Sequence, residues 1–301
     1  MTTAPARPTL GELVGDGDDF LTTSWRREAR VFNPASTWTE ALTVTDLEQV
    51  LACGLLGEPY LEMVEGGRHL PVRRYTTVRP VGPTALHTCA DPHKIAQEIA
   101  AGATLLLRNL EHWHRPTAEL TGRLQRELGR KVESFFFLTP PERQALPAHR
   151  DDADVFVLQV QGAKDWTLHH PPTDGHWAPG TEHTPGAIAL RTTLTPGDVL
   201  YVPRGAAHCA VGCGTELSAH LSLTVREVGS AQLHDTLHAL LAEGMGLAPR
   251  PVDDDGLGAA AQDLLDHHRG RIATLTAADL VAAARTIMAA QADPAPGLAT
   301  A

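Results

Sequence analysis

Apolar positions recur at helical spacing near both ends of the chain and at strand spacing in the middle. Close to the N-terminus, "LGELVGDGDDFLTTSWRREARVF" sets apolar residues three to four apart. "TVTDLEQVLACGLLG" predicts a helix with Thr45 as N-cap and Glu48, three residues on, as its capping-box partner. "DPHKIAQEIAAG" predicts another, capped by Asp91, with Pro92 at its first position and Gly102 as its stop. "ATLLLRNL" reads as a short buried strand, and "PTAELTGRLQRELG" as an amphipathic helix ending at Gly129.

The period then changes. "VESFFFLTPP" is a strand closed by two prolines, and "DVFVLQVQGAKDWTLH" is two strands turning around Gly162. "AIALRTTLTPGDVLYVPRGAAHCAVG" gives further short strands with turns at "TPGD" and "PRG", and "TELSAHLSLTV" gives one more with alternating character. No helical pattern intervenes between residues 132 and 226, which disfavours a parallel α/β sheet. Short strands with Gly/Pro punctuation point to a mainly β fold with helices, a double-stranded β-helix of the jelly-roll or cupin kind. After about residue 228 the helical period returns. "AQLHDTLHALLAEG" puts Leu233, Leu237, Leu240 and Leu241 on one face, "RPVDDDGLG" reads as a linker, and "AAAQDLLDHHRG" and "TAADLVAAARTIMAA" are two more helices. The last is capped by Thr276 with Asp279 at its third position. The expected division is 1–228 for the β domain with its N-terminal helical elaboration, 229–292 for a C-terminal helical module, and 293–301 for a disordered tail; residues 1–8 read as a loose tail too.

Composition narrows the class. With 301 residues, 43% of them hydrophobic, the chain can bury a sizeable core. A net charge of −11 argues against a nucleic-acid footprint and suits a basic protein or peptide partner, or solubility alone. Four cysteines without a CxxC pair suggest reduced thiols. "MTTAPARPTL" lacks a signal-peptide core, and no apolar run approaches the ~20 residues that span a bilayer. The expected location is cytoplasmic, away from any membrane.

The candidate chemistry lies in "LPAHRDDADVFVLQVQGAKDW". On a strand, residues i and i+2 share a side, so His149 and Asp151 would present an imidazole and a carboxylate together. A second histidine would complete a two-His, one-carboxylate facial triad, which suits iron(II) with open coordination positions. His208 is the leading candidate, because "GDVLYVPRGAAH" is a strand, a tight turn and a return strand. Alone, HxD is common and His149 would be a loop histidine; the combination is far more specific. Lys164, past the Gly162 turn, is expected on a strand paired to the one that His149 leads into. A lysine pointing into a barrel needs an anion, and a dicarboxylate would supply it; otherwise Lys164 is a solvated turn lysine. Asp152 and Asp154 either orient ligands or are exposed turn acids, His220 reads as a core histidine, and Cys209 as packing.

The stretches "FFFLTPPERQALPAHRDDADVFVLQVQGAKDW" and "LTPGDVLYVPRGAAHCA" resemble the JmjC/cupin-type 2-oxoglutarate oxygenases, nearest the ribosomal oxygenase branch that hydroxylates histidine or arginine residues of ribosomal proteins. The resemblance covers roughly residues 10–228. It implies a JmjC-like fold, Fe(II) held by His149, Asp151 and His208, and 2-oxoglutarate bound through Lys164, with Thr139 and Thr224 contacting cosubstrate or lining the pocket. It implies hydroxylation of an amino-acid side chain in a protein or peptide, with release of succinate and CO2. Three departures stand out. Arg150 occupies a position where the family commonly has an aromatic residue, and Phe135 and Phe137 stand where relatives often carry Asn and Tyr. The segment after residue 228 is also shorter than the dimerisation and winged-helix region of ribosomal oxygenases, leaving room for a helical module and a homodimer. Three other readings remain open: a cupin metalloenzyme without 2-oxoglutarate, an oxygenase of a small peptide or amino acid, and a non-catalytic cupin scaffold.

Overall fold

The computed structural model describes residues 9–34, 43–246 and 250–290; the expected tails 1–8 and 293–301 lie outside them. Two units separate, one holding residues up to 128 with 132–226, the other holding 129–131 with 227 onward.

The first unit begins with α1 (Thr9–Val14) and α2 (Gly17–Thr23), then β1 (Arg30–Phe32), α3 (Val44–Cys53), β2 (Leu61–Glu65), β3 (Arg68–His69), β4 (Thr76–Val81) and β5 (Thr84–Ala90). It continues through α4 (Pro92–Ala101), β6 (Thr104–Arg108), α5 (Arg115–Leu128), β7 (Val132–Thr139), β8 (His149–Arg150) and β9 (Ala153–Gln161). It closes with β10 (Ala163–His169), β11 (Gly180–Thr181), β12 (Ile188–Leu194), β13 (Val199–Val202), β14 (His208–Cys213) and β15 (Ser218–Arg226). The larger sheet runs β1-β13-β9-β15-β7-β6-β2-β3 and the smaller β11-β8-β14-β10-β12, with β4-β5 as a separate hairpin. The paired strands are antiparallel. The mainly β, helix-flanked jelly roll is thus as expected.

β7, β9 and β13 read as near-continuous apolar runs because both faces of the larger sheet are covered, whereas β15 between β7 and β9 alternates. One parity of each strand packs with the helices: Phe156 and Leu158 of β9, Phe136 of β7, Leu105 and Leu107 of β6, and Leu221, Leu223 and Val225 of β15, against Leu10, Phe20, Leu51, Leu120 and Leu124. Burying each such side chain stabilises by roughly 1.5–3 kcal/mol. Phe20 also meets Tyr201 edge-on, with ring centroids 4.8 Å apart. The other parity faces the smaller sheet, where Val155, Val157, Leu200 and Val202 pack with Trp166, Leu168 and Leu194.

Several local expectations are corrected. The cap of α3 is Thr43 with Asp46, not Thr45 with Glu48: Asp46 N donates to Thr43 Oγ1 at 3.1 Å and Thr43 N donates to Asp46 at 2.9 Å. Both pairs have capping-box spacing, and the register of Leu47 and Leu51 into the core selects the earlier one. β9 and β10 do not pair around Gly162; the chain crosses there between sheets, and Lys164 pairs with Gly212 of β14 and Leu194 of β12. Gly162 has φ +59°, and an added Cβ would lie 2.4 Å from the Leu217 carbonyl oxygen, so the crossing needs glycine. β2 to β5, in a stretch where the pattern gave no element, are strands. The caps Asp91 and Thr276 and the stop at Gly102 are as expected.

The second unit holds α6 (Ser230–Ala242), α7 (Asp254–Thr274) and α8 (Ala277–Ala290). The expected linker is therefore partly helical, with Asp253 capping α7 through Gly256 N at 2.7 Å. Glu227 accepts from Arg130 at 3.0 Å and from Arg285 at 2.7 and 2.9 Å. Among the described residues no single helix is long and apolar enough to cross a membrane.

Candidate metal centre

The short strand β8 lies between β11 and β14, with His149 opposite Thr181 on one side and His208 on the other. This register brings the start of one strand pair and the return strand after "PRGAA" to the same point. His149, Asp151 and His208 each present a ligand atom within 4.8 Å of the others. Asp151 lies 4.0 Å from His149 Nε2 and 3.6 Å from His208 Nε2, and the imidazole centroids are 4.3 Å apart.

The donor set fits a metal ion. Each imidazole places Nδ1 against a backbone carbonyl, His149 against Pro147 O at 2.9 Å and His208 against Ala206 O at 3.0 Å. Those bonds fix the proton on Nδ1 and leave both Nε2 lone pairs directed at the carboxylate. Burial, reinforced by neighbouring His149, holds the His208 pKa well below its ordinary value, so it is a neutral donor. Two imidazoles and one carboxylate are ligands a divalent first-row metal takes, and a one-face set of three leaves room for exogenous ligands.

A cavity of about 260 Å³ opens onto this cluster. Lys164 lines it, fully buried, with Nζ donating to Thr139 Oγ1 at 2.9 Å and 3.4 Å from His220 Nδ1. Thr139 in turn takes a hydrogen bond from Thr104 Oγ1 at 3.3 Å. Among the described residues no carboxylate pairs with Lys164, and burial pushes its pKa down to about 7. A buried amine left without a counter-ion either stays neutral or takes an anion. His220 stacks on Phe137 at 4.8 Å and meets Trp166 edge-on at 5.5 Å; burial, with Lys164 beside it, holds it neutral.

Of the six predicted site residues, five line the cavity or its metal cluster, and Thr139 reaches it through Lys164. Thr224 is on the wall, two residues from Ser222 and Arg226. Asp154, read as a possible exposed acid, is fully buried and accepts from Tyr201 Oη at 2.7 Å and from Arg204 N at 3.1 Å. Asp152 pairs with Arg204 instead of turning to the cluster. Sequence reasoning missed the row His220, Ser222, Thr224, Arg226 as a wall. The alternation of these polar residues with Leu221, Leu223 and Val225 was the available signal. It also missed Arg108, held by Glu62 at 2.8 and 2.9 Å, and the pairing of Arg226 with Glu133 at 2.8 Å, which together put ion pairs along one edge of the wall.

Comparison with known proteins agrees. A JmjC domain family model matches residues 111–233. The chain is 31% identical over 217 residues to ribosomal oxygenase 1 of Homo sapiens, covering 69% of this chain and 32% of that one. It is 34% identical over 135 residues to the bifunctional lysine-specific demethylase and histidyl-hydroxylase NO66 of Culex quinquefasciatus, covering 43% and 21%. The chain thus spans about a third or less of these relatives' length. Among solved structures it is similar to the ribosomal oxygenase YcfD of Escherichia coli in complex with cobalt and 2-oxoglutarate: TM-score 0.56, 18% identity, covering 87% of this chain and 70% of that one. That likeness carries the fold. Residues 111–233, which carry the strand framework that brings His149, Asp151 and His208 together, are the part of the chain that matches the JmjC domain family.

Proposed function

We propose that this protein is an Fe(II)- and 2-oxoglutarate-dependent oxygenase that hydroxylates a side chain of a protein or peptide. The carrying observation is that a two-His, one-carboxylate cluster and an unpaired buried lysine line the same cavity. Iron(II) would be held by His149, Asp151 and His208. When bound with 2-oxoglutarate and dioxygen, it supplies oxidative decarboxylation to succinate and CO2, with the second oxygen atom entering a substrate C–H bond.

The chain's own residues bind, orient and exclude. Lys164 carries the charge that meets the far carboxylate of 2-oxoglutarate, and Thr139 holds the ammonium in place through its hydroxyl. Phe137, Trp166 and Val157 keep the cavity dry around that ion pair, which strengthens it. Thr224, Ser222 and Phe135 form the wall against which the substrate side chain lies. No general base would be required, since the C–H bond would be cleaved by oxidation and not by proton transfer to a side chain.

The relatives are named as a ribosomal oxygenase and a histidyl-hydroxylase, which supports a protein substrate, a ribosomal protein among the candidates. Phe135 and Phe137 give this wall fewer polar groups than the resemblance would lead one to expect. Residues 1–228 form the oxygenase domain in this reading, and 229–292 a helical module through which two copies associate, in the cytoplasm. Leu257, Leu265 and Ile272 are exposed along α7 at spacings that share one side of a helix.

Anaerobic addition of Fe(II) and 2-oxoglutarate should produce a weak visible charge-transfer band. Admission of oxygen should then release succinate, faster with basic peptides of ribosomal proteins. Absence of the band in the wild type, or its persistence in His149→Ala, would overturn the assignment. Metal-dependent turnover without succinate would indicate instead a cupin enzyme that does not use 2-oxoglutarate.

A further inference from the structure

Arg150, the residue between the two ligands on β8, points away from the metal cluster and is only 13% exposed. Its guanidinium makes two bonds to two other chain segments. Nε donates to Glu182 Oε2 at 2.7 Å, and Nη1 donates to the Gly205 carbonyl at 2.6 Å. Glu182 follows β11, and its own N–H donates to Ala148 O at 2.8 Å, beside His149. Gly205 lies in the turn three residues before His208, and its N–H donates back to Asp151 O at 3.0 Å.

The turn is therefore held to the His149–Asp151 segment through both backbone groups of one residue: by the Gly205 N–H through backbone, and by the Gly205 carbonyl through Arg150. Gly205 itself has φ +78°, and an added Cβ would lie 3.0 Å from Pro172 and Trp177, so this position in the turn requires glycine. His208 Nδ1 is bonded to Ala206 O within the same turn. A displacement of Gly205 would thus move the carbonyl that orients the third ligand. Glu182 balances the guanidinium's charge close to a cation site, and the bond from Arg150 is the largest cause holding the Glu182 carboxyl below its ordinary range.

We infer that Arg150 is a positioning residue for the metal: with Glu182 as its counter-ion, it fixes the turn that carries His208 at the separation from His149 and Asp151 that a metal ion requires. This rests on the metal reading above. It assigns a function to a residue whose type departs from the family's common choice, and to a carboxylate, Glu182, that is no ligand. A phenylalanine could pack against this turn, but it could not donate to the Gly205 carbonyl.

The test is Co(II) binding to the full-length protein, read by visible absorption and calorimetry, beside thermal unfolding of the metal-free form. Arg150→Met should bind Co(II) about 10–100-fold more weakly, the range found when groups that orient ligands are removed. Its absorption bands should also shift, because His208 moves. Arg150→Lys, which can reach one acceptor but not both, should fall between wild type and Arg150→Met. A role in stability alone would lower the metal-free Tm and leave Co(II) affinity and bands unchanged. If Arg150→Met does not fold, Arg150→Lys decides, with weakening of threefold or more supporting the inference. Affinity within threefold of wild type, with unshifted bands, overturns it. Wild type that fails to bind Co(II), or His149→Ala that binds it equally, overturns the metal reading and this inference together.

Discussion

Lys164 shows how far one side chain can constrain a mechanism. Its folded pKa of about 7 lies below the ordinary 10.5 because burial disfavours the ammonium. Between those two values the unfolded chain holds more protons than the folded one, so the ligand-free protein should gain stability as pH rises from about 7 to about 10.5, with no contribution from this group below 7. A dicarboxylate reverses the preference by favouring the charged form. Above pH 7, binding of 2-oxoglutarate must then take up a proton, and affinity should fall by up to about tenfold per pH unit. Calorimetry in buffers of different ionisation enthalpy checks this, and Lys164→Met should both weaken binding and remove the slope. A slope identical in Lys164→Met would assign the proton elsewhere. The cluster of His149, Asp151 and His208 was legible in the sequence because i and i+2 on a strand share a side, and Lys164 because an ammonium is expensive to bury without an anion. Asp154 and Arg150 were not, because their partners, Tyr201, Arg204, Glu182 and Gly205, lie 32 to 55 positions away along the chain.

At the scale of elements, the sequence disclosed strands but not their neighbours. Gly162 looks like a hairpin turn by composition, yet it marks a crossing between sheets, and the difference places Lys164 beside the strand of His208 instead of beside β9. Pairing across a sheet is decided by contacts distant in sequence, which local pattern does not encode. β14 gives a direct check. A Cβ on Gly212, the residue opposite Lys164, would lie 2.5 Å from the Pro140 carbonyl oxygen. Because that obstacle is backbone, Gly212→Ala should destabilise by about 1–3 kcal/mol in chemical denaturation. It should also weaken 2-oxoglutarate binding, since the strand must shift beneath the lysine. Unchanged stability would mean that the 140–143 turn yields without cost.

At the scale of the whole molecule, the chain divides into a β unit and a helical unit, and residues 129–131 join the helical side. Arg130 explains this locally through its bond to Glu227. Composition could not disclose it, because three residues after a helix stop carry no domain signal. In the proposed dimer the apolar stripe of α7 is covered by a second copy. Sedimentation should show a dimer at micromolar concentration, and Leu265→Glu with Ile272→Glu should give a monomer that keeps its Co(II) affinity. A wild-type monomer would remove the dimer from the proposal without touching the site.

The sheet that builds the cavity also sets a sequence of events. Along β15, His220 stands beside the fully buried Lys164, while Arg226 at the other end of the same row is partly exposed and paired with Glu133. A ligand that reaches Lys164 from the Arg226 end would travel past Ser222 and Thr224, the surface on which the substrate side chain would lie. If that row serves both in the proposed reaction, 2-oxoglutarate would enter first and succinate would leave last. Steady-state kinetics should then be compulsory-order, with succinate competing against 2-oxoglutarate, and excess peptide should slow turnover by closing the passage on the departing product.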